Sequence, residues 1–292
     1  MSRFVASPIE LANQLDAVDY LAGPGLAMAL FLAIELPQPI LLEGEPGVGK
    51  TEAAKALSRV LDTPLIRLQC YEGIDVAEAL YEWNYPRQLL AIRLAEASGA
   101  NLDEASLFGP EYLVARPLLK ALEHPGPRPA VLLLDEVDRA DDEFEAFLLE
   151  LLGEASVTIP ELGTLQAIQR PIVVLTSNRT RDPHDALKRR CLYHWIDYPP
   201  FEQAVSIVHR RVPRSSVELV AQATRAVERI RKMDLQKPPG IAETIDWVSA
   251  LVLLETESLD ACSIGSTLGS VLKYREDQDQ VLSANLDELV GG

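Results

Sequence analysis

Apolar residues recur along this chain in two rhythms, and each rhythm predicts its own elements. Short apolar runs at residues 40–42, 65–70, 130–134, 172–175 and 193–198 read as five strands. The all-apolar ones suit a parallel sheet covered on both faces. Between them the period lengthens to that of a helix. Ser7-Pro8-Ile9-Glu10 opens the first helix, with Ser7 as cap, Pro8 in the first turn and Glu10 reaching back. Helices are predicted over residues 25–35, ahead of Pro37, and over 50–61. Another starts near Asp141 with three acids in its first turn, which favour the positive end of its dipole. Its Phe144, Phe147, Leu148 and Leu151 make one buried stripe. Residues 157–159 and 165–168 flank Gly163 and read as a hairpin.

Two departures from the alternation shape the domain picture. About sixty residues separate the second strand from the third, too many for a bare loop, so residues 71–130 read as an inserted subdomain. It carries one helix over 84–98 that stops near Gly99, and a second over 113–122 with Pro117 as a possible break. After Pro199-Pro200 everything reads helical. Ser215 pairs with Glu218 as a cap, Val220, Ala223, Val227 and Ile230 form a stripe, and further helices cover 241–254 and 266–274. The expected architecture is a three-layer α/β domain over residues 1–198 and a small all-helical domain over 199–292.

Composition narrows the class. Of 292 residues, 48% are hydrophobic and 24% charged, which excludes a disordered chain. No apolar run approaches the roughly 20 residues of a membrane span. Met1-Ser2-Arg3-Phe4 has no continuous apolar stretch after its charge, so a secretory signal is not expected. Cys70, Cys191 and Cys262 are too few and too scattered for a disulfide framework or a zinc site, so a reducing cytoplasm is the expected home. The net charge of −17 disfavours a nucleic-acid binder. The charge is also uneven. Residues 181–232 hold 11 basic and 6 acidic side chains, and residues 255–292 hold 8 acidic and 2 basic. Such a chain can touch copies of itself, basic edge to acidic neighbour.

The chemistry is concentrated at strand ends. Gly44-Glu45-Pro46-Gly47-Val48-Gly49-Lys50-Thr51 fits G-x-x-x-x-G-K-[ST], between an apolar strand and a helix. Glycines let the backbone wrap a phosphate chain, the helix points its positive end at the anion, Lys50 reaches the β- and γ-phosphates, and Thr51 ligates Mg²⁺. The expected nucleotide contacts run from Gly44 through Thr51 to Glu52. The strand at 130–134 delivers Asp135 to hold Mg²⁺ and Glu136 to orient or deprotonate a water. Thr176-Ser177-Asn178 ends the next strand, where a polar residue can contact that water or the γ-phosphate. Arg189-Arg190 precedes the fifth strand, and a guanidinium there can meet developing phosphoryl charge or simply be surface.

This order of motifs, followed by a helical lid, resembles an AAA+ ATPase. The long insert and the hairpin are similar to the MoxR family. Leu68-Gln69-Cys70-Tyr71-Glu72-Gly73 and Pro238-Pro239-Gly240-Ile241-Ala242-Glu243-Thr244-Ile245-Asp246-Trp247 resemble the MoxR-type ATPases encoded beside molybdenum-containing carbon monoxide dehydrogenase, which assist its maturation. The resemblance implies a three-layer P-loop NTPase domain with a helical lid, Mg-ATP as cofactor, and a homo-oligomeric, hexameric ring. It implies a metalloenzyme client and a von Willebrand factor A-type partner, while the acidic balance and the lack of a helix-turn-helix or basic arm weigh against a nucleic-acid partner. Lys50 and Thr51 match the Walker A pair, Asp135 and Glu136 match Walker B, and Asn178 matches the first sensor. Arg190 best matches the arginine finger, with Arg189 the nearby alternative. Pro239 to Glu243 lacks the arginine with which many such lids sense the γ-phosphate. A switch or adaptor that binds a partner without remodelling it is the competing reading.

Overall fold

The computed structural model describes residues 4–99 and 103–290. Met1 to Arg3, on which the leader reading partly rests, lie outside the described residues. The helices α1 (Pro8–Ala17) and α2 (Pro24–Glu35) lead into strand β1 (Ile40–Glu43) and helix α3 (Lys50–Leu61). Strand β2 (Leu65–Gln69) enters the insert, which holds α4 (Val76–Ala79), β3 (Tyr81–Trp83), α5 (Tyr85–Ser98), β4 (Leu113–Ala115) and α6 (Pro117–Leu122). Strand β5 (Val131–Asp135), helix α7 (Asp142–Glu154), the hairpin β6 (Ser156–Ile159) and β7 (Gly163–Gln166), strand β8 (Ile172–Ser177), helix α8 (Asp185–Lys188) and strand β9 (Leu192–Trp195) complete the α/β part. Among the described residues six helices follow: α9 (Phe201–Arg211), α10 (Val217–Ile230), α11 (Ile241–Leu253), α12 (Ala261–Val271), α13 (Arg275–Ser283) and α14 (Leu286–Val290).

The five core strands form one parallel sheet in the order β2-β5-β8-β1-β9. Successive side chains point to opposite faces, and the cores divide accordingly. Ile40, Leu42, Val131, Leu133, Ile172 and Val174 pack under α1, α2 and α3. Leu41, Leu68, Leu132, Leu134, Val173 and Leu175 pack under α6, α7 and the hairpin strand β6. That two-sided burial explains why β5 and β8 are fully buried, residue after residue. A third core, with the fully buried Trp247 in it, lies wholly within the C-terminal helices.

Several boundaries differ from the sequence reading. Residues 113–122 are not one helix. Pro117 occupies the first turn of α6, and it holds Arg116 extended (φ −95°, ψ 178°), so the preceding residues form a strand instead. That strand, β4, pairs antiparallel with β3, a hairpin-like contact the sequence reading did not contain. The cap of α10 is Ser216, which accepts from Leu219 N over 3.1 Å, while Ser215 is buried and donates to Val212 O over 2.6 Å. The helix expected over 266–274 is shifted. Asp260 and Ser263 form a reciprocal capping box that starts α12 at Ala261, and Tyr274 caps the next helix. Ser7 does cap α1, but Glu10 reaches back to Ala6 N rather than to Ser7.

Candidate active site

The carboxyl ends of β1, β5 and β8 lie side by side and deliver the three predicted motifs to one edge of the sheet, the usual ligand edge of open α/β sheets. A cavity of about 620 Å³ opens there. The loop after β1 is shaped by its glycines. Gly49 caps α3 at φ +98°, where a side chain would be strained. A Cβ at Gly44 would stand 2.3 Å from the Ile196 carbonyl oxygen, so only glycine lets β1 leave the sheet beside β9. Lys50 is 6% exposed, and its Nζ donates to Gly44 O over 2.7 Å and to Glu45 O over 2.8 Å. Burial lowers the Lys50 pKa from its ordinary value, against the opposing pull of Asp138, Glu45, Asp135 and Glu136. Gly44 and Glu45 thus meet the site through their carbonyls. Pro46, Gly47, Val48, Gly49, Lys50, Thr51 and Glu52 line the cavity.

Asp135 is the hub. Its Oδ1 accepts from Thr51 Oγ1 over 3.0 Å and from Thr176 Oγ1 over 2.6 Å. Its Oδ2 faces Arg67, with Nε at 2.9 Å. Thr176 in turn accepts from Glu136 N over 2.9 Å. Glu136 sits at φ +57°, a left-handed conformation that a non-glycine residue holds only at a cost of about 1 kcal/mol or more. Its carboxylate accepts from Asn178 Nδ2 over 3.2 Å, from Gln69 Nε2 over 3.1 Å and from Arg139 Nε over 2.9 Å. Thr51, Asp135, Glu136 and Asn178 are therefore one hydrogen-bonded assembly joined through Thr176, Lys50 stands beside them in the loop, and all five line the cavity.

Arg189 and Arg190 are not part of it. Both are exposed, and neither lines the cavity. The Arg190 guanidinium donates to Leu149 O within α7, whereas the Arg189 side chain has no hydrogen bond or ion pair among the described residues, its backbone N–H donating to Asp185 O over 3.0 Å. Glu52 is committed to cations: Arg211 at 3.0 Å, Arg59 at 3.1 Å and Lys55 at 3.4 Å. Although burial pushes the other way, these partners hold its carboxyl below the ordinary value.

The lid closes over the loop from the other side. Ile241 N donates to Gly47 O over 3.2 Å, and Glu243 caps Gly240 N over 2.9 Å. Arg211 of α9 brings a lid guanidinium to the cavity, on a different helix from the one where an arginine was sought. Sequence reasoning also missed Arg67, Gln69 and Arg139. The first two carried a usable signal. Within β2 the polar residues 67 and 69 alternate with Ile66 and Leu68, and register puts Gln69 opposite Asp135.

A strand, a glycine-rich loop and a helix set against an acid pair at the neighbouring strand end define a P-loop NTPase fold. The profile of the AAA domain (dynein-related subfamily) matches residues 39–191, just over half of the 292, and the chain belongs to that family. It is similar to uncharacterized proteins of Staphylococcus aureus strains COL and MW2, each 24% identical over 274 residues, across 88% of this chain and 92% of the relative. Among solved structures, the Thermotoga maritima RuvB Holliday junction branch migration motor aligns with a TM-score of 0.47 at 14% identity, over 88% of this chain and 68% of that one. A mutant of the same protein aligns at 0.49 and 16% identity, over 90% and 71%. No helix among the described residues is long and apolar enough to cross a membrane.

Proposed function

We propose that this protein hydrolyses Mg-ATP and uses the cycle to remodel a partner protein. The observation that carries the reading is the hydrogen-bonded chain of Thr51, Asp135, Thr176, Glu136 and Asn178, set beside the buried Lys50 around one cavity of nucleotide size. Lys50 neutralises the β- and γ-phosphates from within the loop. Thr51 and Asp135, already turned towards each other, fit a hard cation that takes oxygen ligands. Mg²⁺ bound there would offset phosphate charge. Glu136 holds and deprotonates the attacking water, and Asn178 keeps that carboxylate aimed. Its strained backbone is consistent with such a task.

The exposed Arg190, with Arg189 beside it, serves the nucleotide of an adjacent identical subunit in a ring, which we take to be a hexamer. The basic stretch over residues 181–232 and the acidic one over 255–292 support contact between copies. The MoxR-type resemblance supports a metalloenzyme client in the cytoplasm and a von Willebrand factor A-type partner. Three free cysteines suit a reducing compartment.

Subunit mixing tests the composite site. Lys50→Ala keeps its arginine and Arg190→Ala keeps its loop, so each protein alone is inactive. Mixed, they regain part of the ATPase activity wherever an intact loop meets an intact arginine. No recovery despite demonstrated subunit exchange would contradict a site shared between subunits.

A further inference from the structure

Two buried carboxylates hold the segment that runs from Asn178 to Arg190, and neither touches the nucleotide cavity. Asp138, 2% exposed, accepts from Asn178 N over 3.2 Å, Thr180 N over 2.9 Å and Thr180 Oγ1 over 2.6 Å. Glu145, 1% exposed, accepts from His184 N over 2.7 Å and from the Arg181 guanidinium. Arg181 also donates to Ala140 O over 2.6 Å and to Asp142 over 3.0 Å. Four residues beyond Glu145, on the same face of α7, the Leu149 carbonyl accepts from Arg190. One helix face therefore grips the segment at residues 181, 184 and 190. The other end of the segment is Asn178, bonded to Glu136.

Burying an ionised carboxylate on a helix is costly unless it is paired and hydrogen-bonded, so Glu145 marks a junction that the fold maintains. From this juxtaposition we infer that Glu145 is a positioning residue for the Arg189-Arg190 pair. Through Arg181 and His184 it docks the segment onto α7, and so fixes where the two guanidiniums stand on the exposed edge. The inference rests on the proposal that these arginines serve the adjacent subunit. It makes α7 the rigid link between the Glu136 end of one site and the arginines offered to the next.

Glu145→Gln keeps an acceptor for His184 N but loses the charge that pairs with Arg181. Misplacing a catalytic group by about 1 Å costs on the order of a hundredfold in rate, so turnover falls by about that factor while ATP affinity stays near wild type. Subunit mixing reads the cause. Glu145→Gln subunits mixed with Lys50→Ala subunits recover activity, because the first supply intact loops and the second well-placed arginines. Glu145→Gln mixed with Arg190→Ala recovers none, because neither offers a working arginine. Arg181→Met, altered from the exposed side of the same pair, behaves like Glu145→Gln in both mixtures. If Glu145→Gln binds ATP normally but is not rescued by Lys50→Ala subunits, it acts on its own site and the inference is wrong. It is equally wrong if turnover is unchanged. Failure of the Lys50→Ala and Arg190→Ala mixture itself would instead remove the shared site on which the inference rests.

Discussion

Arg67 on β2 reaches diagonally to Asp135 at the end of β5, with the arginine Nε 2.9 Å from Oδ2 of the acid proposed to hold the metal. Asp135 is nearly buried while the arginine side chain is about half exposed, at 49%. A cation at Oδ2 competes electrostatically with Mg²⁺. Arg67→Gln is expected to lower the Mg²⁺ concentration needed for half-maximal nucleotide binding. Solvent screening limits a half-exposed pair to about 1 kcal/mol, which is about fivefold. A fluorescent-nucleotide titration against Mg²⁺ measures it, and an unchanged or higher requirement speaks against competition.

Lys50→Ala removes the buried ammonium that bridges Gly44 O and Glu45 O. With ATP bound the same ammonium would give one charge-assisted bond to each of the β- and γ-phosphates, and losing two such bonds at about 1.5 kcal/mol each corresponds to roughly a hundredfold weaker ATP binding. Titration calorimetry checks this, and undiminished affinity would remove Lys50 from the phosphate site.

His194 carries the pH dependence that lies nearest neutrality. Burial lowers its pKa below 6.5, only partly offset by Asp197. The folded protein therefore releases this proton at lower pH than the unfolded chain does. Between the folded value and 6.5 the unfolded state binds more protons, so stability rises with pH there. The contribution is fully present above 6.5 and is lost as pH falls through the folded value. In His194→Gln, melting temperature should depend less steeply on pH across that window. An identical slope in both proteins contradicts the assignment.

Legibility followed the range of the interactions. The loop from Gly44 to Thr51, helix α3 and the acid pair were readable because their signals are local: fixed glycines, a lysine and an apolar strand. The β3–β4 pair was not, because three-residue strands have no period to detect and their partners lie some thirty residues apart. Asp138 and Glu145 illustrate the same limit. In sequence they are two acids among many near the start of α7, and only the fold brings residues 178–184 against them. Asn178 was proposed from its place at a strand end, but its bond to Glu136 spans 42 residues and carries no local signal. Arg190 was assigned from its place before the fifth strand. Its actual hold, the Leu149 carbonyl, carries no sequence signal at all.

The most direct test of the account is the fate of bound ATP in Glu136→Gln. The substitution keeps the size of the side chain and one acceptor oxygen for Asn178 Nδ2, gives up the acceptor that faces Gln69 Nε2, and removes the base. Wild-type protein and variant are loaded with Mg-ATP, separated from free nucleotide, and the bound nucleotide is identified by chromatography over time. The account predicts that wild-type protein converts its ATP to ADP while Glu136→Gln retains intact ATP. Conversion at the same rate in both proteins would contradict it.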